Sequence, residues 1–219
     1  MKIHGIGIDA AFSNMGFAPV LIDLDKLPGL DAISCEALNL TKTAKEQGKA
    51  VRVSSDRLRR AQELHEALLA SCDGVQVAFV EIPSGTQSAT AAFSLGIAVG
   101  VLAGCPIPII EVSPMEVKAA VAGKKVVKGA SKAEIIDWAE KQWPQAPWKR
   151  APHQGRSKGK VLPAGRLTAD NEHLADALAS VAAGIQTPAF KQLLSILKHA
   201  IPSPSDQRSP SRRQRVRLL

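Results

Sequence analysis

The 219-residue sequence predicts an α/β protein built on one mixed five-stranded sheet with helices on both faces. Three observations predict it. The first forty residues alternate strand-like runs with short turns, the pattern of an antiparallel meander. Beyond them strand-like and helix-periodic segments alternate, which favours parallel neighbours. The run VQVAFVEI is apolar almost throughout, as in a central strand covered on both sides.

Taken in order, KIHGIGID (2–9) is a strand that ends in Asp9. AAFSNMG is a turn, FAPVLIDL (17–24) a second strand, and DAISCEALNLT (31–41), after the Pro28–Gly29 turn, a third. SSDRLRRAQELHEALLASCDG (54–74) predicts a helix capped by Ser54 or Ser55, with Leu58, Ala61, Leu64 and Leu68 facing inward and Gly74 past its end. VQVAFVEI (75–82) then carries Glu81 at its end. A helix from about Ser88 to Gly104 follows, then the strand PIPIIEVS (106–113) and the short helix PMEVKAAVAG (114–123). SKAEIIDWAEKQW (131–143) is a helix with Ser131 and Glu134 as a capping box. Residues 144–168 are rich in Pro, Gly, Lys and Arg without periodicity and read as a long basic loop, a length that in a compact domain often goes with function. Two helices close the domain: ADNEHLADALASVAAG (169–184), then TPAFKQLLSILKHA (187–200), with Thr187 as cap and Pro188 in its first turn. The domain therefore spans 1–201, and PSPSDQRSPSRRQRVRLL (202–219) reads as a disordered Arg-rich tail.

Composition narrows the functional classes. A hydrophobic fraction of 45% excludes wholesale disorder. The net charge of +8 is uneven: residues 114–166 hold twelve Lys or Arg against four acids, and residues 191–219 seven against one. An acidic body with basic segments points to an anionic partner, nucleic acid before membrane surface. Cys35, Cys72 and Cys105 are far apart and form no CxxC pair, which argues against a zinc site or a disulfide framework and fits a reducing cytoplasm. Residues 82–110 carry no charge, yet Pro83, Pro106, Pro108 and the polar start PSGTQS argue against a membrane span. MKIHGIGID lacks the apolar core of a signal peptide, so a cytoplasmic protein is expected.

The candidate chemistry sits at element ends. Asp9 and Glu81 each close a strand, and in a parallel pair both carboxylates emerge at one sheet edge. His173 and Asp176, at i and i+3, share a helix face. Helix-dipole complementarity accounts for acids near this N-terminus but leaves His173 unexplained, since a cation is disfavoured there. A neutral imidazole among carboxylates makes sense around a shared Mg²⁺, which takes oxygen ligands and keeps waters. Two such ions about 4 Å apart can clamp the attacking and leaving oxygens of a phosphodiester.

GIGIDAAFSNMGFA, VAFVEIPSG, AAFSLGIAVGVLA, SPMEVKAAVAGK and HLADALASVAAG resemble, in order and spacing over residues 3–185, the successive blocks of RuvC-type Holliday junction resolvases. The resemblance implies a ribonuclease H-like fold and a metal-dependent endonuclease that resolves four-way or branched DNA by paired nicks near the crossover. It implies that Asp9, Glu81 and Asp176 bind two Mg²⁺ or Mn²⁺ ions, with His173 as ligand or proton handler. Lys118 and Lys132 match DNA-contacting positions, and Lys124, Lys125 and Lys128 suit phosphate neutralisation in a backbone-tracking loop. Gly96, Gly100 and Gly104, spaced every four residues on the uncharged helix, suit close packing, either onto the sheet or at the interface of the homodimer that the resemblance implies. No nucleotide cofactor is implied, and the host is bacterial or a bacteriophage. Pro83, Ser84 and Gly85 stand where some relatives carry an aromatic wedge, and the 144–168 loop and the tail are additions. These departures keep open a flap or hybrid nuclease of the same fold, or a non-catalytic branched-DNA-binding protein.

Overall fold

The computed structural model describes residues 1–46, 52–82, 85, 88–122, 131–157 and 160–200. Its strands are β1 (Lys2–Asp9), β2 (Asn14–Asp23), β3 (Ile33–Cys35), β4 (Asn39–Lys42), β5 (Val77–Glu81), β6 (Ile109–Val112), β7 (Gly155–Ser157) and β8 (Lys160–Leu162). Its helices are α1 (Val53–Ser71), α2 (Ala89–Ala103), α3 (Pro114–Ala122), α4 (Lys132–Gln142), α5 (Asn171–Gly184) and α6 (Pro188–Ala200).

The main sheet runs β3-β2-β1-β5-β6, with β4 also paired to β2. β1, β2 and β3 form the expected antiparallel meander, and β5 and β6 join in parallel. Six strands occupy five positions, because the expected third strand is split. Cys35 faces Val20 and Asn39 faces Phe17, so the three residues Glu36–Leu38 stand opposite only Ala18 and Pro19. This is a bulge of one residue. It falls beside Pro19, which accepts a bond from the Glu36 N–H (2.9 Å) but has no N–H to return.

Each face of the sheet has its own apolar core. Ile6, Ile8, Met15, Phe17, Ala78 and Val80 pack under α1 and α2. Ala18, Val20, Ile22, Val77 and Phe79 pack under α5, α6 and the tryptophans that follow α4. β1 and β5 are thus covered on both faces, which explains their near-continuous apolar runs. α5 is buried over most of its length. Its small residues let it press close: a Cβ on Gly7 would lie 2.0 Å from the Ala177 carbonyl oxygen, and one on Gly16 2.5 Å from that of His173. Only glycine admits this approach of a helix backbone to a sheet.

Several caps are as expected. Ser131 and Glu134 form the capping box of α4, and the Thr187 hydroxyl accepts from the Phe190 N–H at 3.2 Å. α1 differs. It begins at Val53 with no side-chain cap, and its inward row is Arg60, Leu64 and Leu68, while Leu58 is exposed. Leu58 lies two residues, about 200°, around the helix from Arg60, so both cannot face inward.

The 144–168 segment is not a featureless loop. Trp143 and Trp148 are buried and donate their indole N–H groups to the carbonyls of Ile33 and Trp143. Ala151 exchanges backbone bonds with Gly165 and Arg166, Arg150 bridges Leu167, and β7 pairs antiparallel with β8. The segment is a two-stranded ribbon on a tryptophan-anchored root. Its Pro and Gly content hides a strand period only three residues long. No described helix is long and apolar enough to cross a membrane. The expected tail, 202–219, lies outside the described residues.

Candidate active site

β1 and β5 bring the first two carboxylates together. Asp9 and Glu81 are register partners at the C-terminal ends of adjacent parallel strands. The side-chain period of two that buries Ile8 and Val80 leaves both acids half-buried at the edge. α5 supplies the other side. Its approach over Gly16 sets His173 so that Nδ1 lies 2.6 Å from the Asp9 carboxylate. Asp176 follows one turn later on the same face.

The charges on these groups are unbalanced. Burial above all, then Asp9, Glu81 and Glu172, push the Asp176 carboxyl up to about 7, with His173 opposing. Burial and then Asp9 raise Glu81 above the usual carboxylate range, with Lys118 opposing. The hydrogen bond to Asp9 holds His173 above its ordinary value despite burial. Such like-charge crowding is what a bound cation relieves. Three carboxylates and an imidazole form a hard, oxygen-rich donor set suited to Mg²⁺ or Mn²⁺. The donor chemistry fits. Among the described residues, however, no three of these side chains are gathered closely enough to hold an ion as they stand. One Asp9 oxygen is engaged by His173.

The expected DNA-contacting lysines divide into two groups. Lys118 on α3 lies within electrostatic reach of Glu81. Lys132, at the start of α4, is ion-paired to Glu172, and the charges of Asp176 and Asp9 help hold its ammonium above the ordinary lysine value. Lys124, Lys125 and Lys128 lie outside the described residues.

Sequence reasoning missed three neighbours of this edge. Glu172, one residue before His173, is the partner of Lys132. Asp170 pairs with Lys42 at 2.6 Å and lies 4.0 Å from Lys149, and its side chain makes no cap bond to α5. Arg60, buried on α1, lies 4.0 Å from the centre of the Phe12 ring. It also donates to Thr43 (3.2 Å) and Ser13 (3.1 Å), which clamps the turn that leaves Asp9. None has a local signal, because each pairing spans 17 to 128 residues of chain.

An antiparallel meander continued by parallel strands, with helices on both faces and acids at the ends of the first and central strands, is the ribonuclease H-like fold. Within it the chain is similar to three solved resolvases. RuvC from T. thermophilus in complex with a Holliday junction substrate shares 21% identity at a TM-score of 0.56, covering 88% of this chain and 96% of that one. A second Thermus thermophilus RuvC structure shares 23% at 0.53, covering 89% and 97%. The yeast mitochondrial Holliday junction resolvase Ydc2 shares 14% at 0.54, covering 90% and 84%. No protein-family model matches the sequence, and no curated protein matches it.

Proposed function

We propose that this chain is a metal-dependent endonuclease that resolves four-way or otherwise branched DNA by paired nicks near the crossover. The observation that carries the proposal is the crowding of Asp9, Glu81, His173 and Asp176 at one sheet edge, with two carboxyls raised by burial and then by neighbouring carboxylates, Asp9 first. The similarity to resolvases of known structure supports the choice of substrate.

Asp9, Glu81, Asp176 and His173 would hold the cations. Mg²⁺ or Mn²⁺, two ions in this reading, would supply charge neutralisation for the phosphodiester and a more acidic water. The residues themselves do the rest. Asp9 would accept a hydrogen bond from the His173 Nδ1–H and so fix the ring's orientation. That contact leaves Nε2 as the ring atom that would either ligate a cation or exchange a proton. Lys118 and Lys132 flank the acids and would meet the phosphates on either side of the cut.

Paired nicks require two copies, and α2 supplies a surface for them. Phe93 and Val99 are exposed on this uncharged helix, and nothing lies within 4 Å of where a Cβ on Gly96 or Gly100 would stand. Gly96 and Gly100 therefore leave room for a second copy to approach, whereas Gly104 packs within the chain, where a Cβ would lie 2.6 Å from the His65 ring. An isologous α2 contact gives the two-fold axis that symmetric cutting needs.

The test is cleavage of a synthetic four-way junction, a 5′ flap, an RNA–DNA hybrid and a linear duplex in Mg²⁺. Symmetric nicks confined to the junction are expected. Equal cutting of flap or hybrid would replace this reading with a broader nuclease of the same fold, and tight binding without cutting with a binding protein.

A further inference from the structure

We infer that the described part of the ribbon, residues 144–157 and 160–168, is a second DNA contact, which grips the phosphate backbone of a duplex arm beside the cut. The inference rests on the proposed function.

The charge is one-sided. Residues 144–168 hold six Lys or Arg and no Asp or Glu. Part of that charge is used internally: Arg150 pairs with Glu140 and donates to the Gly165 carbonyl, while Arg166 donates to the carbonyls of His153 and Pro163 across the ribbon. Arg156, on β7, is exposed and has no ion-pair partner among the described residues. Like charge placed without acids on a narrow two-stranded ribbon disfavours folding unless a polyanion meets it.

The ribbon is fixed at its root, and the root adjoins the active edge. Asn171, buried at the first position of α5, donates to the carbonyls of Lys149 (2.7 Å) and Thr168 (3.0 Å) and accepts from the Lys149 N–H (2.9 Å). Asn171 is two residues from His173. Trp143 and Trp148 seat the incoming strand in the core, and Asp170 holds Lys149 against Lys42. A slack insertion needs none of these ties. From Ala151 to Ser157 the ribbon can reach at most about 20 Å, the length of about six base pairs. A basic two-stranded ribbon rooted about one and a half helical turns from Asp176 therefore suits the backbone of an arm leaving the cleavage point.

The experiment uses the full chain and an immobile four-way junction. Binding is measured in chelator across 50–300 mM salt for wild type, Arg156→Ala, Arg156→Glu and Arg156→Lys, with hydroxyl-radical footprints of each complex. Arg156 is exposed, so thermal midpoints are expected to stay with wild type. Loss of one phosphate contact lowers the slope of log affinity against log salt by about 1. Arg156→Ala is expected to show that drop, Arg156→Glu a larger one, and Arg156→Lys none, because a phosphate contact needs charge rather than a guanidinium. Protection of one arm, within about six base pairs of the cut, should vanish in Arg156→Glu while protection at the crossover persists. If wild type binds and cuts the junction but the Ala and Glu variants keep its slope and footprint, the ribbon inference falls alone. If wild type does not bind the junction, the proposed function falls and takes the inference with it.

Discussion

Replacing Asp176 with Asn should make the metal-free protein more stable at alkaline pH while removing its activity. Asp176 titrates near 7 in the folded chain against an ordinary value of 3.8. A carboxyl whose folded pKa lies above its unfolded one contributes stability that is complete below the unfolded value and is lost as pH rises through the folded one. At about 1.4 kcal/mol per pH unit, ionising Asp176 costs the folded state up to about 4 kcal/mol by pH 8. Much of a typical domain's stability of about 5–15 kcal/mol is at stake. Urea unfolding in chelator from pH 4 to pH 8 measures it. The wild-type midpoint should fall across this window, while that of Asp176→Asn should fall much less, since the amide cannot ionise. Added Mg²⁺ should restore wild type at pH 8 and leave the variant unmoved. Parallel wild-type and variant profiles, within about 0.5 kcal/mol at every pH, would refute the argument that like charges crowd this edge without metal.

Further outcomes follow from single contacts. Gly16→Ala puts a Cβ where the His173 carbonyl must retreat by about 0.9 Å, so we expect about 1–3 kcal/mol lower stability and about 100-fold slower nicking, read from urea midpoints and single-turnover rates. Arg60→Ala frees the Phe12–Ser13 turn and should cost about 2–4 kcal/mol of unfolding free energy, measured in the same denaturation series. Asn171→Ala strands the Lys149 N–H and removes the side-chain bonds to the Lys149 and Thr168 carbonyls, so amide exchange at the ribbon root should speed up by at least about tenfold. Glu172→Gln releases Lys132 for phosphate and should tighten junction binding in chelator by up to about fivefold at low salt.

The strand and helix order was legible because each element's period matched its burial. KIHGIGID and VQVAFVEI are covered on both faces, and the capping residues Ser131 and Thr187 act locally. The placement of Asp9 beside Glu81 followed from parallel pairing alone. What escaped depends on contacts distant in sequence. Cys72 and Cys105, 33 residues apart, lie with their sulfurs 3.8 Å apart because α1 and α2 end together. Arg60 is buried where a helix-period reading places Leu58, because Phe12, Ser13 and Thr43 supply the ring and the hydroxyls that a buried guanidinium needs. The ribbon escaped because its stability comes from Trp143, Trp148 and Asn171, not from its own sequence period.

The measurement that bears most directly on the central claim is single-turnover nicking of a four-way junction by wild type and Asp9→Asn, in Mg²⁺ and in chelator. The cluster at the β1–β5 edge predicts symmetric nicks that need the metal, fall by at least about 1,000-fold in Asp9→Asn, and leave junction binding intact. Nicking that persists in chelator, or in Asp9→Asn at the wild-type rate, would contradict it.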